Sequence, residues 1–95
     1  ITVKDDLLIE EVKAICKNLR LRGIMCLQCI KRVDGRFSFI EINPRPGSGI
    51  DLSVNSGCNL PSLWVKLTNE DVAFVPEPHW GMEMVRYNSA YFFHA

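Results

Sequence analysis

Charge of one sign is what this sequence lacks first: 11 Lys and Arg stand against 11 Asp and Glu, a formal net charge of +0 at pH 7. A phosphate backbone demands a broad electropositive face, so nucleic acid is a poor fit as a partner. Long apolar runs are missing too, and those present are far too short to cross a bilayer. There is no internal repeat and no low-complexity tract, which excludes solenoids and flexible linkers. Cysteine is sparse for a disulfide scaffold: Cys16, Cys26, Cys29 and Cys58 are four in 95 residues. The pair Cys26-Leu27-Gln28-Cys29 has no second Cys pair or close His pair to complete a tetrahedral zinc site. The cysteines therefore read as reduced, small apolar side chains of a cytoplasmic protein. No secretory signal opens the chain, and a start at Ile1 rather than methionine reads as a processed piece or a fragment of something longer.

What is present suits one small globular unit. Hydrophobic residues make up 47% and charged residues 23% of the chain, and a chain this short buries roughly 65% of the surface it exposes when unfolded. From Lys4 to Arg22, Leu8, Val12, Ile15 and Leu19 repeat at i, i+4, i+7 and i+11, which lays one apolar stripe along a helix. Asp5 or Asp6 supplies the cap, Glu10 and Glu11 lie toward the positive end of the helix dipole, and Lys17, Arg20 and Arg22 lie toward the negative end. Gly23 is the expected stop.

Two extended segments follow, Ile24 to Val33 and Arg36 to Asn43, joined by Asp34-Gly35, a strong signal for a two-residue hairpin. With that turn, residues whose numbers add to 69 oppose one another: Val33 with Arg36, Ile30 with Phe39, Gln28 with Glu41 and Cys26 with Asn43. Alternation along a strand then sets Gln28, Glu41 and Asn43 on one face, alongside Ile30 and Phe39. Buried polar groups need partners, and three oxygen-bearing side chains suit a hard divalent cation such as magnesium. The alternative is a solvated sheet face on which the three meet water. Directly afterwards, Pro44-Arg45-Pro46-Gly47-Ser48-Gly49 reads as an irregular loop able to bring Arg45 near the cluster, where a guanidinium could fork onto phosphate oxygens.

At these residues the sequence resembles the ATP-grasp superfamily, and within it the carbamoyl-phosphate synthase large-chain type. The resemblance rests on Gly23 and Gln28, on Phe39-Ile40-Glu41-Ile42-Asn43-Pro44-Arg45, and on Gly57-Cys58-Asn59-Leu60-Pro61, and it spans about residues 5 to 70. It implies that Gln28 and Glu41 hold one magnesium or manganese ion, that Glu41 and Asn43 hold a second, and that both ions meet the phosphates of ATP. It implies that Arg45 lies by the acyl-phosphate formed when a carboxylate or bicarbonate takes the γ-phosphate, before an amine or ammonia displaces that phosphate. Pro46-Gly47-Ser48-Gly49 departs from the serine- and arginine-rich loop of the synthases and is closer to that of smaller ATP-grasp ligases. The resemblance also implies an α+β architecture, an antiparallel sheet with packed helices. Residues 1–95 would form the C-terminal portion of one ATP-grasp domain, without the upstream half that clamps the nucleotide. Such a chain alone would not turn over, and a non-catalytic module acting in assembly or regulation is the alternative function.

Downstream, Ser48 to Asn55 and Leu60 to Asn69 read as helices, the second with Leu60, Leu63, Trp64 and Leu67 on one face and Pro61 in its first turn. Trp64 is expected in the core. Phe74 to Gly81 is a proline-punctuated connector, and Met82 to Tyr87 and Ala90 to His94 are expected strands turned at Asn88-Ser89. Tyr87, Tyr91, Phe92 and Phe93 are expected in the sheet core; should the upstream half be absent, their exposure would favour self-association or docking onto a partner. His79 and His94 are isolated, with no nucleophile or carboxylate at motif spacing, and carry no catalytic assignment.

Overall fold

The computed structural model describes residues 1–70 and 74–94. The element order is α1 (Asp6–Asn18), β1 (Cys26–Lys31), β2 (Phe37–Asn43), α2 (Ile50–Asn55) and α3 (Leu60–Asn69). The two strands pair antiparallel, so the architecture is α+β, as the sequence implies.

Helix α1 begins where its cap dictates. Asp5 accepts a hydrogen bond from the Leu8 amide at 3.1 Å, and its other oxygen takes the Lys31 ammonium at 2.8 Å, tying the start of the helix to the end of β1. That cation first, and the Leu8 amide second, hold the Asp5 carboxyl below its ordinary pKa. The helix stops earlier than Gly23. Arg20 takes the left-handed conformation (φ 53), Leu21 donates to Cys16 O at 2.8 Å and Arg20 to Lys17 O at 3.2 Å, which closes a Schellman cap. Leu8, Val12 and Ile15 are half-buried, whereas Leu19, beyond the last helical turn, is exposed.

The hairpin corrects the expected register at its tip. A two-residue turn of the favoured type needs φ above zero at both central residues, and of Asp34 and Gly35 only Gly35 adopts it (φ 83). Arg32 instead accepts from the Gly35 amide at 3.0 Å and donates to Arg36 O at 2.8 Å, which leaves Val33, Asp34 and Gly35 as a three-residue loop. Lys31 therefore faces Phe37, Ile30 faces Ser38 and Cys29 faces Phe39; the expected pairs Val33 with Arg36 and Ile30 with Phe39 do not form. Between Phe39 and Glu41 the ladder slips, with Ile40 as the extra residue of a bulge, and from there Gln28 opposes Glu41 and Cys26 opposes Asn43.

The bulge decides which side chains share a face. In a regular strand Phe37, Phe39, Glu41 and Asn43 would all point the same way, mixing aromatic rings with the polar cluster. One inserted residue reverses the phase. Phe37 and Phe39 thus join Leu27 and Cys29 on a half-buried side, and Gln28, Glu41 and Asn43 take the opposite side. Lys31 lies over the Phe37 ring, 5.3 Å from its centre.

The most buried point is the α2–α3 corner, where Ser56, Cys58 and Leu63 are enclosed. Asn59 caps α3 by accepting from the Ser62 amide at 3.0 Å, with Pro61 in the first turn. Leu63 is 5% exposed, but its neighbour Trp64 is 41% exposed rather than in the core. A short corner of two small helices covers one side of α3 and leaves the indole outside it.

Residues Met82 to Tyr87 and Ala90 to His94 are not strands. An extended segment becomes a strand only where a neighbour offers a ladder, and among the described residues the backbone pairing at this segment's start is with Thr2: its amide donates to Met82 O at 2.8 Å and its carbonyl accepts from Gly81 at 2.8 Å. Lys4 reaches Glu77 at 3.0 Å, and Trp80 donates its indole N–H to the same carboxylate at 2.9 Å. These two donors hold the Glu77 carboxyl below its ordinary pKa, and Glu77 in turn raises that of Lys4. Tyr87, Tyr91, Phe92 and Phe93 are exposed, not sheet core.

Candidate functional site

The site is built on the end of the hairpin away from its tip. Gln28 lies directly across the ladder from Glu41, a placement that sets Cβ atoms about 5 Å apart. Asn43, two residues on, shares that face and donates its Nδ2 to Glu41 Oε1 at 2.9 Å. Gln28 and Glu41 are exposed and Asn43 is half-buried. The Asn43 bond uses the amide nitrogen and one carboxylate oxygen, so Asn43 Oδ1 and Glu41 Oε2 are the atoms it leaves for a ligand. The cluster is therefore open to solvent, not a set of buried polar groups beside Phe39.

The loop after β2 turns back at once. Arg45 donates its amide to Asn43 O at 2.7 Å, and its guanidinium Nη1 reaches Pro46 O at 3.1 Å. Two residues later the backbone passes so close to β1 that a Cβ on Gly47 would lie 2.9 Å from Cys26 Sγ. A side chain there would push the Cys26 thiol aside, so glycine suits this approach. Cys26 is the residue opposite Asn43, so the loop is seated on the same strand end that carries the oxygen cluster. Between them runs a shallow groove of about 320 Å³ whose lining includes Met25, Cys26, Pro46, Gly47, Ile50 and Leu60.

The far end of the loop is held from elsewhere in the chain. Arg86 Nη2 donates to Ser48 O at 2.9 Å and pairs with Asp51 Oδ2 at 2.9 Å. Sequence reasoning had no access to Arg86, since a lone arginine in an extended stretch carries no motif. The Cys26–Gly47 approach had one signal, a glycine in a loop that follows directly on a strand.

The donor set agrees with a hard cation: one carboxylate and two amides supply oxygen. Among the described residues no group of three His, Cys, Asp or Glu side chains converges, and all four cysteines are free thiols. Among the same residues no helix is long and apolar enough to cross a membrane.

Comparison with known proteins bears on this arrangement in one way. No curated protein and no solved structure matches the chain. A family model does match, over residues 1–90, and its span takes in the hairpin, the Arg45 loop, both short helices and the Arg86 contact. Its description is ATP-grasp in the biosynthetic pathway with Ter operon, and on a match of that extent the chain belongs to this ATP-grasp family.

Proposed function

We propose that residues 1–95 form the C-terminal, cation- and phosphate-facing portion of a cytoplasmic ATP-grasp ligase. The enzyme activates a carboxylate or bicarbonate by phosphorylation and then joins it to an amine or ammonia, in the manner of the carbamoyl-phosphate synthase large chain. The observation that carries this reading is the pairing of Gln28 with Glu41 across the ladder, with Asn43 hydrogen-bonded to Glu41 on the same face. Family membership supports the ligase class and the use of ATP; the Glu41-x-Asn43-Pro44-Arg45 run supports the synthase-like subtype.

Gln28, Glu41 and Asn43 would hold magnesium or manganese through their side-chain oxygens. Bound there, the cations would supply charge neutralisation on the phosphate oxygens of ATP. The remaining work falls to the chain itself. Asn43 donates to Glu41 and so orients the carboxylate, and the Pro44–Gly49 loop would bring Arg45 to the phosphate oxygens. Phosphoryl transfer needs positioning and charge stabilisation more than covalent help, and a planar guanidinium matches phosphate oxygens two at a time. The balance of the reaction is a carboxylate oxygen bonding to the γ-phosphorus as ADP leaves, then an amine nitrogen bonding to the acyl carbon as phosphate leaves. Four free thiols accord with a reducing compartment.

The test is Glu41→Ala in the full-length protein. We expect ATP-dependent turnover to fall by about 10²–10³-fold, in line with removal of a principal charge-stabilising group, with an unchanged circular dichroism spectrum. Retained turnover in a folded variant would defeat the assignment.

A further inference from the structure

We propose that Arg86 is a positioning residue for the Arg45 loop, holding it against the end of β1 so that the guanidinium of Arg45 is presented to phosphate oxygens beside Glu41 and Asn43. The inference rests on the ATP-grasp site proposed above and deepens it.

Conformational freedom within the loop is concentrated at two points. Pro44 and Pro46 have fixed φ, so the flexible positions are Gly47 and Gly49. Gly47 is seated against Cys26 Sγ, which a side chain at this position would displace. The next residue, Ser48, gives its carbonyl to Arg86 Nη2 at 2.9 Å, and the same nitrogen meets Asp51 Oδ2 at 2.9 Å, just past Gly49. The loop is thereby held from two sides, by Cys26 behind Gly47 and by Arg86 across Ser48 and Asp51. The Arg45 amide is tied to the end of β2 through Asn43 O at 2.7 Å, while its guanidinium meets Pro46 O at 3.1 Å, next to Gly47, so the direction of the guanidinium depends on the loop beyond it. Its placement follows from how the loop is held.

This role is separable from a structural one. The Arg86–Asp51 pair lies on the surface, with side chains 45% and 67% exposed, and exposed pairs contribute little to stability. Orientation, by contrast, is steep: misplacing a group by about 1 Å can reduce rate on the order of 10²-fold. Loss of Arg86 should therefore spare the fold and the cation site but weaken the phosphate interaction.

The experiment compares wild type, Arg86→Met, Arg86→Lys and Glu41→Ala in the full-length protein, with Mn²⁺ alone and then Mn·ATP as probes. For Arg86→Met we expect Mn²⁺ affinity within about twofold of wild type and Mn·ATP affinity reduced by about tenfold or more, within the range set for misplaced groups. Arg86→Lys, which keeps a cation able to reach Ser48 O, should recover most of that loss, and the thermal midpoint should barely move. Unchanged Mn·ATP affinity in Arg86→Met, or failure of lysine to rescue it, would overturn the positioning role. Should Arg86→Met fail to fold, Asp51→Asn takes its place: a severalfold loss of Mn·ATP affinity supports the role and wild-type affinity overturns it. Glu41→Ala is read separately, because wild-type Mn²⁺ affinity in that variant would sink the cation site and leave the Arg86 result to be judged by itself.

Discussion

The hairpin and the C-terminal segment 74–94 are both rich in extended, apolar-alternating sequence, yet only one of them is a sheet. In β1 and β2 each strand supplies the other with a ladder of six partner pairs, with Phe37 and Phe39 on a half-buried side and Gln28 and Glu41 on the open one. The segment from Phe74 onward has an equivalent run of aromatic and branched residues, but among the described residues its hydrogen bonds to the rest of the chain go to Thr2, Lys4, Ser48, Asp51 and Ser56. Its aromatic side chains remain outside: Phe92 is 93% exposed. The contrast shows that strand propensity is a capacity to pair, realised only where a partner strand lies alongside. Functional consequences follow the same division, since the polar cluster occupies the paired region and a single arginine from the unpaired one reaches its loop.

The largest effect that would sharpen this contrast is expected at the α2–α3 corner. Leu63→Ala should cost about 2–5 kcal/mol, the usual range for emptying an enclosed leucine site, read from the urea midpoint. A cost below about 1 kcal/mol, the level of ordinary surface changes, would mean that the corner is not the anchoring core. Next comes the hairpin tip. Gly35→Val forces a branched residue into φ 83 and should destabilise by about 1–2 kcal/mol, with loss of the Arg32–Arg36 amide protection in hydrogen exchange. Smallest is the unpaired region: Phe92→Ser should shift stability by less than about 0.5 kcal/mol. A larger loss there would break the comparison, because it would show that the aromatic end is covered in solution, by a second copy or another partner.

Legibility in the sequence tracks how local each determinant is. The α1 cap at Asp5, Pro61 in the first turn of α3 and the span Leu60 to Asn69 depend on neighbours within one turn and appear where the pattern sets them, while α2 begins at Ile50 rather than Ser48. The helix end was not legible: an arginine at φ 53 closes α1 three residues before the glycine, because the Schellman bonds to Cys16 and Lys17 offset the strain. In the hairpin, the pairings Gln28 with Glu41 and Cys26 with Asn43 match the simple arithmetic because two departures cancel. The loop has one residue more than expected, and the bulge at Ile40 takes up one more on β2. Strand alternation hints at the bulge only indirectly, through aromatics and polar groups of the same parity that need opposite faces. Trp64 and the terminal aromatics were misread because helical and strand patterns tell which side chains could be buried, not whether anything covers them.

By itself, then, the amino-acid order determined the first helix, the hairpin and the two short helices, and the chemistry available at the strand end: an acid, two amides and an arginine in a short loop, all within eighteen residues of one another. Those properties are set by caps, turns and alternation over a few bonds. Folding in three dimensions decided what no local rule reaches: that the aromatic and polar sides of β2 part at Ile40, that Gly47 closes onto Cys26, and that Arg86 arrives beside Ser48. Each of these depends on contacts between distant segments, whose existence turns on which surfaces meet.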